Sequence, residues 1–290
     1  MKQPAPLRTS LVQMSPGSDR AENIRTAETL ARRATEHDRP DLLSFPEMWC
    51  CLGGGRAAKI AAAEPLPAPG SSEPLGPCYQ FLQNLARSTG TFVHGGSIGE
   101  LAGDHLFNTT LLFDDRGCEI ARYRKIHLFD VVTPDGAGYR ESALFGAGTE
   151  VVTARIKHLT VGLAICYDLR FPELFAALRE RGAELLLLPA SFTLLTGKDH
   201  WEVLLRARAI ETQCWVAAAA CWGKHTEAMG EARYTYGHSL IADPWGHVVA
   251  RASDGEGFVT GSIDPALNAR IRADMPVAQH HRLPWRGPAA

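Results

Sequence analysis

Three residues of this chain have types and placements suited to covalent chemistry: a thiol, a carboxylate and an ammonium. Cys166 follows the apolar run Leu159 to Ile165 and precedes Tyr-Asp-Leu-Arg-Phe-Pro-Glu, where Pro172 opens a helix. Glu47 follows Asp-Leu-Leu-Ser-Phe-Pro, and Lys125 lies in Arg-Tyr-Arg-Lys-Ile-His-Leu-Phe-Asp. Ligands of α/β sheets gather at the carboxyl ends of strands, so Glu47 and Cys166 can share one pocket. A strand-to-helix junction also sets backbone N–H groups where a thiolate or oxyanion would form. A free thiol titrates near ~8.5 and needs activation at neutral pH. A carboxylate can take its proton, and an ammonium can stabilise the charge that results. At about 4 Å and an effective dielectric near 20 such a contact is worth roughly 4 kcal/mol. Position alone leaves each residue an ordinary alternative: a core cysteine, a helix-capping glutamate, a solvated lysine.

Competing constellations are weaker. Gly95-Gly96-Ser97-Ile98-Gly99 fits the G-x-S-x-G pattern of a serine esterase, but that elbow requires a helix next. Glu100 to Thr110 lacks helical periodicity, so a hairpin edge is expected. Gly53-Gly54-Gly55 has neither the spacing nor the strand of a phosphate loop. No H-E-x-x-H occurs; His280-His281 reads as a solvated pair, and His127 as a structural hydrogen-bonder. The cysteines, at 50, 51, 78, 118, 166, 214 and 221, are odd in number and contain no C-x-x-C, which argues against zinc and disulfide frameworks. All but Cys166 are expected as structural thiols. Asn108-Thr109-Thr110 matches a glycosylation sequon, read here as chance.

These side chains need a scaffold. Apolar runs at 41–45, 91–94, 109–113, 159–165, 184–188, 214–221 and 238–242 are expected as buried strands. Several lack alternation, which suits a sheet covered on both faces. Helices are expected over 19–36, 79–87, 173–181 and 201–213 from apolar spacing, Pro172 and the stops at Gly90 and Gly182. Turns at Asp115-Arg116-Gly117 and Asp243 to Gly246 join strands directly, so an α/β fold with mixed sheets and hairpins is expected. Ala61 to Pro77 reads as a mobile surface loop. The 290 residues admit one or two domains. A net charge of -2 offers no electrostatic reason to expect nucleic acid or an anionic membrane as partner. No run approaches the ~20 apolar residues of a membrane span, and no secretory leader is evident, so a cytoplasmic location is expected.

Phe45-Pro-Glu-Met48, Tyr123 to Asp130 and Cys166 to Leu174, in that order, resemble the nitrilase superfamily of carbon–nitrogen hydrolases. Within it, Gly197 to Cys214 and Tyr236 to Gly246 are similar to the Nit amidase branch. The resemblance spans about Leu11 to Arg282. It implies an α-β-β-α sandwich and one hydrolase domain over 1–290, with a core of about 7–265 and a C-terminal tail over 266–290. It also implies a Glu-Lys-Cys triad of Glu47, Lys125 and Cys166, with Glu141 as a second glutamate beside the lysine. Lys125 and the Tyr167 backbone N–H would hold the oxyanion. Arg170, Thr193 and Thr196 are the candidate substrate contacts. No metal or organic cofactor is implied. The implied substrate is a small ω-amide acid, foremost deaminated glutathione, with 2-oxoglutaramate as the alternative. A homodimer or larger homo-oligomer is implied as well. Phe129 and Gly146-Ala147-Gly148 depart from the usual pattern of close relatives. A Ser97 esterase and a non-catalytic binding scaffold are the readings from other classes.

Overall fold

The order of secondary structure alternates between strands and helices in each half of the chain. The computed structural model describes residues 5–68, 75–133, 136–226 and 232–282. The first half builds β1 (Leu7–Gln13), α1 (Arg20–Asp38), β2 (Leu42–Ser44), α2 (Gly55–Ala62), α3 (Pro77–Thr89), β3 (Phe92–His94), β4 (Ile98–Ala102), β5 (His105–Phe113) and β6 (Glu119–Arg124). A hairpin of β7 (Asp130–Val132) and β8 (Gly138–Arg140) and a 3-10 turn at Glu141–Ala143 follow. The second half builds β9 (Thr153–Ile156), β10 (Leu159–Leu163), a 3-10 helix at Cys166–Arg170, α4 (Pro172–Glu180), β11 (Leu185–Leu187), α5 (Leu194–Thr212) and β12 (Trp215–Ala218). It closes with β13 (Trp222–Thr226), β14 (Ala232–Tyr236), β15 (Leu240–Ala242), β16 (Val248–Arg251), β17 (Gly257–Ile263), α6 (Pro265–Asp274) and α7 (Val277–His280).

The strands form two large mixed sheets, with β7–β8 and β13–β14 as separate two-stranded pairs. One runs β17-β1-β2-β3-β5-β4, with β6 also on β5; the other runs β16-β15-β12-β11-β10-β9. Strand side chains alternate between faces, and here both faces are covered. Leu11, Leu42, Phe92 and Leu112 meet Val161, Leu185, Leu187 and Ala217 between the sheets. Their neighbours Val12, Leu43, Val93 and Leu111 pack instead beneath Ala27, Leu30, Ala31 and Ala34 of α1 and Leu82 and Ala86 of α3. On the other side, Trp201, Leu205 and Ala209 of α5 and Leu174, Phe175 and Leu178 of α4 cover the second sheet. The result is the α-β-β-α sandwich the resemblance implied, and the double burial is why the apolar runs showed no alternation.

Some expectations change. β1 is central, pairing with both β2 and β17, yet its polar Thr9 and Ser10 hid it from an apolar search; both are fully buried, and Ser10 bonds Thr260 across the strand pair at 2.7 Å. The helix read from 201 starts at Leu194, because Gly197 and the polar residues after it break the apolar pattern. A Cβ at Gly197 would lie 2.3 Å from the Tyr236 side chain, so close packing is what requires glycine there. The stretch 61–77 is not all surface loop. Residues 61 and 62 end α2, and Glu64 is buried, its carboxylate accepting from the N–H groups of Cys78 and Tyr79 at 3.0 and 2.7 Å. Glu64 thereby caps α3, whose own N-cap, Gly76, has no side chain to do so; residues 69–74 lie outside the described residues. The segment read as a tail from 266 begins with α6, which buries Asn268 and Ile271; residues 283–290 lie outside the described residues. Among the described residues no helix is long and apolar enough to cross a membrane.

Candidate active site

Cys166 begins its 3-10 helix with φ 46°, a left-handed conformation that costs a non-glycine residue roughly 1–3 kcal/mol. Its N–H is held by the Pro189 carbonyl at 2.9 Å. The fully buried Asp168 carboxylate locks the turn, accepting from the Ile165 N–H at 2.8 Å. The same carboxylate accepts from the Tyr123 hydroxyl at 2.6 Å and from the His127 N–H at 3.0 Å, and pairs with His127 Nδ1 at 2.7 Å. Tyr123 and His127 flank Lys125, so one carboxylate ties the cysteine turn to the lysine segment. His127, stacked on Phe171 at 3.8 Å, is a structural hydrogen-bonder as expected.

Glu47 stands in the turn after β2, where Met48 has φ 50°. Ser97 supports this turn: its Oγ accepts from the Met48 N–H at 3.0 Å, and its own N–H donates to the Pro46 carbonyl at 3.1 Å. A Cβ at Gly96 would lie 2.1 Å from that carbonyl oxygen, which explains the glycine. The G-x-S-x-G segment therefore builds the glutamate turn and leads into β4, not a helix, and His94 bonds Ser44 and Thr110 at 2.7 and 2.9 Å. The hairpin edge expected there is what forms, β4 pairing with β5, and Ser97 is not placed as an esterase nucleophile.

Lys125 follows β6 and is almost wholly buried. Its Nζ lies 2.9 Å from Glu47 Oε1 and 2.8 Å from Glu141 Oε2. Glu141 also accepts from the Phe129 N–H at 2.7 Å, which orients it after the β7–β8 hairpin. Asn108, missed by sequence reasoning apart from its sequon, is 1% exposed. Its amide nitrogen bridges Glu47 and Glu141 at 2.9 and 3.1 Å, the orientation two acceptor-only carboxylates require. Burial opposes charge on Glu47, but Lys125 together with hydrogen bonds from Lys125, Cys166 and Asn108 outweighs it and holds the carboxyl below its ordinary range. Burial opposes charge on Lys125 too, and Glu141 and Glu47 outweigh it, lifting its pKa well above that of a free lysine. Burial, then the Glu47 charge, raises the Cys166 thiol well above its usual value against the opposing pull of Lys125. The resting centre is thus a carboxylate, an ammonium and a neutral thiol hydrogen-bonded to the carboxylate.

These groups open into a pocket also lined by Phe129, Tyr139, Arg140, Tyr167, Arg170, Ser191, Phe192, Thr193, Thr196 and Arg233. All the residues expected from sequence therefore meet at one place. Thr193 and Thr196 bond each other at 2.7 Å, and Arg170 bonds His200 Nδ1 at 3.3 Å and lies over Phe192. Ser191 Oγ and Asn108 Oδ1 are buried without a hydrogen-bond partner. Neither Ser191 nor Arg233 carried a sequence signal, since only strand ends converging in space bring them to Cys166. Cys118, read as a structural thiol, is exposed, whereas the other cysteines are buried; all seven are free.

The family model for carbon-nitrogen hydrolases matches residues 8–273. A protein of Synechocystis sp. named deaminated glutathione amidase is 39% identical over 285 residues, covering 95% of this chain and 98% of its own length. The Homo sapiens protein of the same name is 39% identical over 284 residues, covering 94% of this chain and 81% of its own. The crystal structure of Saccharomyces cerevisiae Nit3, described as a member of branch 10 of the nitrilase superfamily, matches with TM-score 0.84 at 30% identity, covering 97% of this chain and 98% of that one.

Proposed function

This chain belongs to the carbon-nitrogen hydrolase family, and on that footing we propose that it is a cysteine amidase that cleaves deaminated glutathione to 2-oxoglutarate and cysteinylglycine. The observation that carries this reading is the buried contact of Lys125 Nζ with Glu47 and Glu141 beside the Cys166 thiol. The names borne by the relatives point to the substrate, and the arginines of the pocket suit its carboxylates.

Glu47, held ionised, takes the thiol proton as Cys166 attacks the amide carbon. A thiol that stays neutral at rest gains its charge only as the bond forms, so the base acts in the transition state. Lys125 Nζ donates to Glu47 Oε1 and to both oxygens of Glu141; as charge develops, one N–H turns from Glu141 to the oxygen of the tetrahedral intermediate, alongside the Tyr167 N–H at the open first turn of the 3-10 helix. Glu47 then passes its proton to the leaving amine and later activates the water that hydrolyses the thioester. Asn108 and Glu141 hold Lys125 and Glu47 in register through both half-reactions.

The test is a product assay with deaminated glutathione and 2-oxoglutaramate side by side, comparing kcat/KM in the parent and in Cys166→Ala. The reading expects the larger value for deaminated glutathione and no turnover in the folded variant. A preference for 2-oxoglutaramate would make the protein an ω-amidase, and a preference for a nitrile would remove the amidase assignment. The exposed Leu194, Leu195, Val203 and Ile210 along α5 support a homodimer or larger homo-oligomer, to be checked by light scattering.

A further inference from the structure

Half-buried Arg122 and Arg124 meet Glu100, and buried Arg208 meets Glu211. The pocket is different. Among the described residues no Asp or Glu forms an ion pair with Arg233, and its Nε is buried without a hydrogen-bond partner. Arg233 projects from β14, opposite His225 of β13, and its guanidinium lies over the Tyr139 ring at 5.1 Å. From Tyr139 the wall continues to Phe129 at 5.1 Å between ring centroids, and from Phe129 to Tyr167 at 5.0 Å. Arg170 lies 6.0 Å from the far ring, Tyr167. A guanidinium therefore stands at each end of a wall of three aromatic rings, and both guanidiniums line the cavity that holds Cys166.

Deaminated glutathione carries one carboxylate on each side of its scissile amide. The acyl side is short, so its carboxylate stays near the nucleophile's own 3-10 helix, which bears Arg170. The leaving dipeptide is longer and runs outward along the wall to the β13–β14 hairpin. A guanidinium stacked by its face keeps its N–H edge free for bidentate pairing with a carboxylate. We propose that Arg233, seated on Tyr139, binds the terminal carboxylate of the leaving amine and makes this enzyme selective for amides whose leaving group is itself an acid. This rests on the amidase reading above and adds to it a preference on the leaving-group side.

The test compares deaminated glutathione with the same molecule bearing a carboxamide in place of the glycine carboxylate, in the parent enzyme and in Arg233→Gln. Loss of a hydrogen bond between charged groups predicts that the parent favours the carboxylate form by about 30-fold in kcat/KM, chiefly through KM. In Arg233→Gln that ratio falls to near unity, and in Arg233→Lys, which keeps the charge and loses the fork, it lies between. A merely structural effect would lower both substrates alike and leave the ratio unchanged, which overturns the inference. So does a parent enzyme with no preference between the two forms. A parent inactive on both overturns the substrate reading itself, and the inference with it.

Discussion

Replacing Lys125 with methionine removes the charge at the centre of the site while keeping an unbranched side chain of similar length. Nζ lies 2.9 Å from Glu47 and 2.8 Å from Glu141. At an effective dielectric near 20, each contact is worth about 6 kcal/mol of attraction, and the one to Glu47 favours its ionised form. Glu47 is ionised only because Lys125 and the hydrogen bonds outweigh its burial. Without the ammonium, burial is opposed only by the remaining hydrogen bonds, so the Glu47 pKa rises and the ionised form is disfavoured. The variant thus loses an oxyanion donor, worth roughly 10²–10³ in kcat, and its ionised base, worth roughly 10²–10⁴. These groups act as a unit and their losses overlap, so kcat/KM is expected to fall by about 10⁴. The residual rate should climb as the pH is raised above neutrality, because the acid limb follows the Glu47 pKa upward. Product release measured across mildly acidic to mildly alkaline pH, with circular dichroism melts to verify the fold, checks both parts. A kcat/KM within about tenfold of the parent, with the acid limb unmoved, would refute the reasoning.

Asn108→Leu should lower kcat by about 30-fold with a smaller change in KM, since it strips one hydrogen bond from each catalytic carboxylate; steady-state kinetics decide it. Asp168→Asn places an amide against four donor contacts in a fully buried position, and should cost about 3 kcal/mol of stability with a fall in kcat; urea unfolding and turnover measure the two effects. His94, fully buried, is lowered from 6.5 to about 3 by burial. The unfolded chain then binds the extra proton first, so this contribution is whole above pH 6.5 and is lost as the pH falls toward 3. Lowering the pH to ~4.5 should remove roughly 3 kcal/mol through this group. Urea midpoints at neutral pH and at that pH, in the parent and in His94→Gln, test it: the variant should show the flatter dependence.

Glu47 and Cys166 stood out because each closely follows an apolar run, a local property of the chain, whereas Lys125 was nominated by the Tyr123 to Asp130 motif of the resemblance. The helix face of α1 was legible because a period is written in neighbouring residues, and α3 because Pro77 and Gly90 bound it. Other features were not local. β1 carries Thr9 and Ser10 into the interior, where Ser10 bonds Thr260 of β17, so its burial depends on a partner some 250 residues away. Glu64 looked like part of an Ala- and Pro-rich loop until its carboxylate met the N-terminus of α3.

The amino-acid sequence by itself carried the pattern of strands and helices, the candidates for nucleophile, base and lysine, and the amidase character of the motifs around them. Tertiary structure alone decided that Asn108 bridges two glutamates, that Asp168 fastens the cysteine turn to the lysine segment, and that Ser97 supports the Glu47 turn. It likewise decided that Arg170 and Arg233 stand at opposite ends of one aromatic wall. Hydrogen bonds and ion pairs act over a few ångströms of space whatever the separation along the chain. Sequence spacing can nominate such a group, but only the packing of two sheets brings its partners within reach.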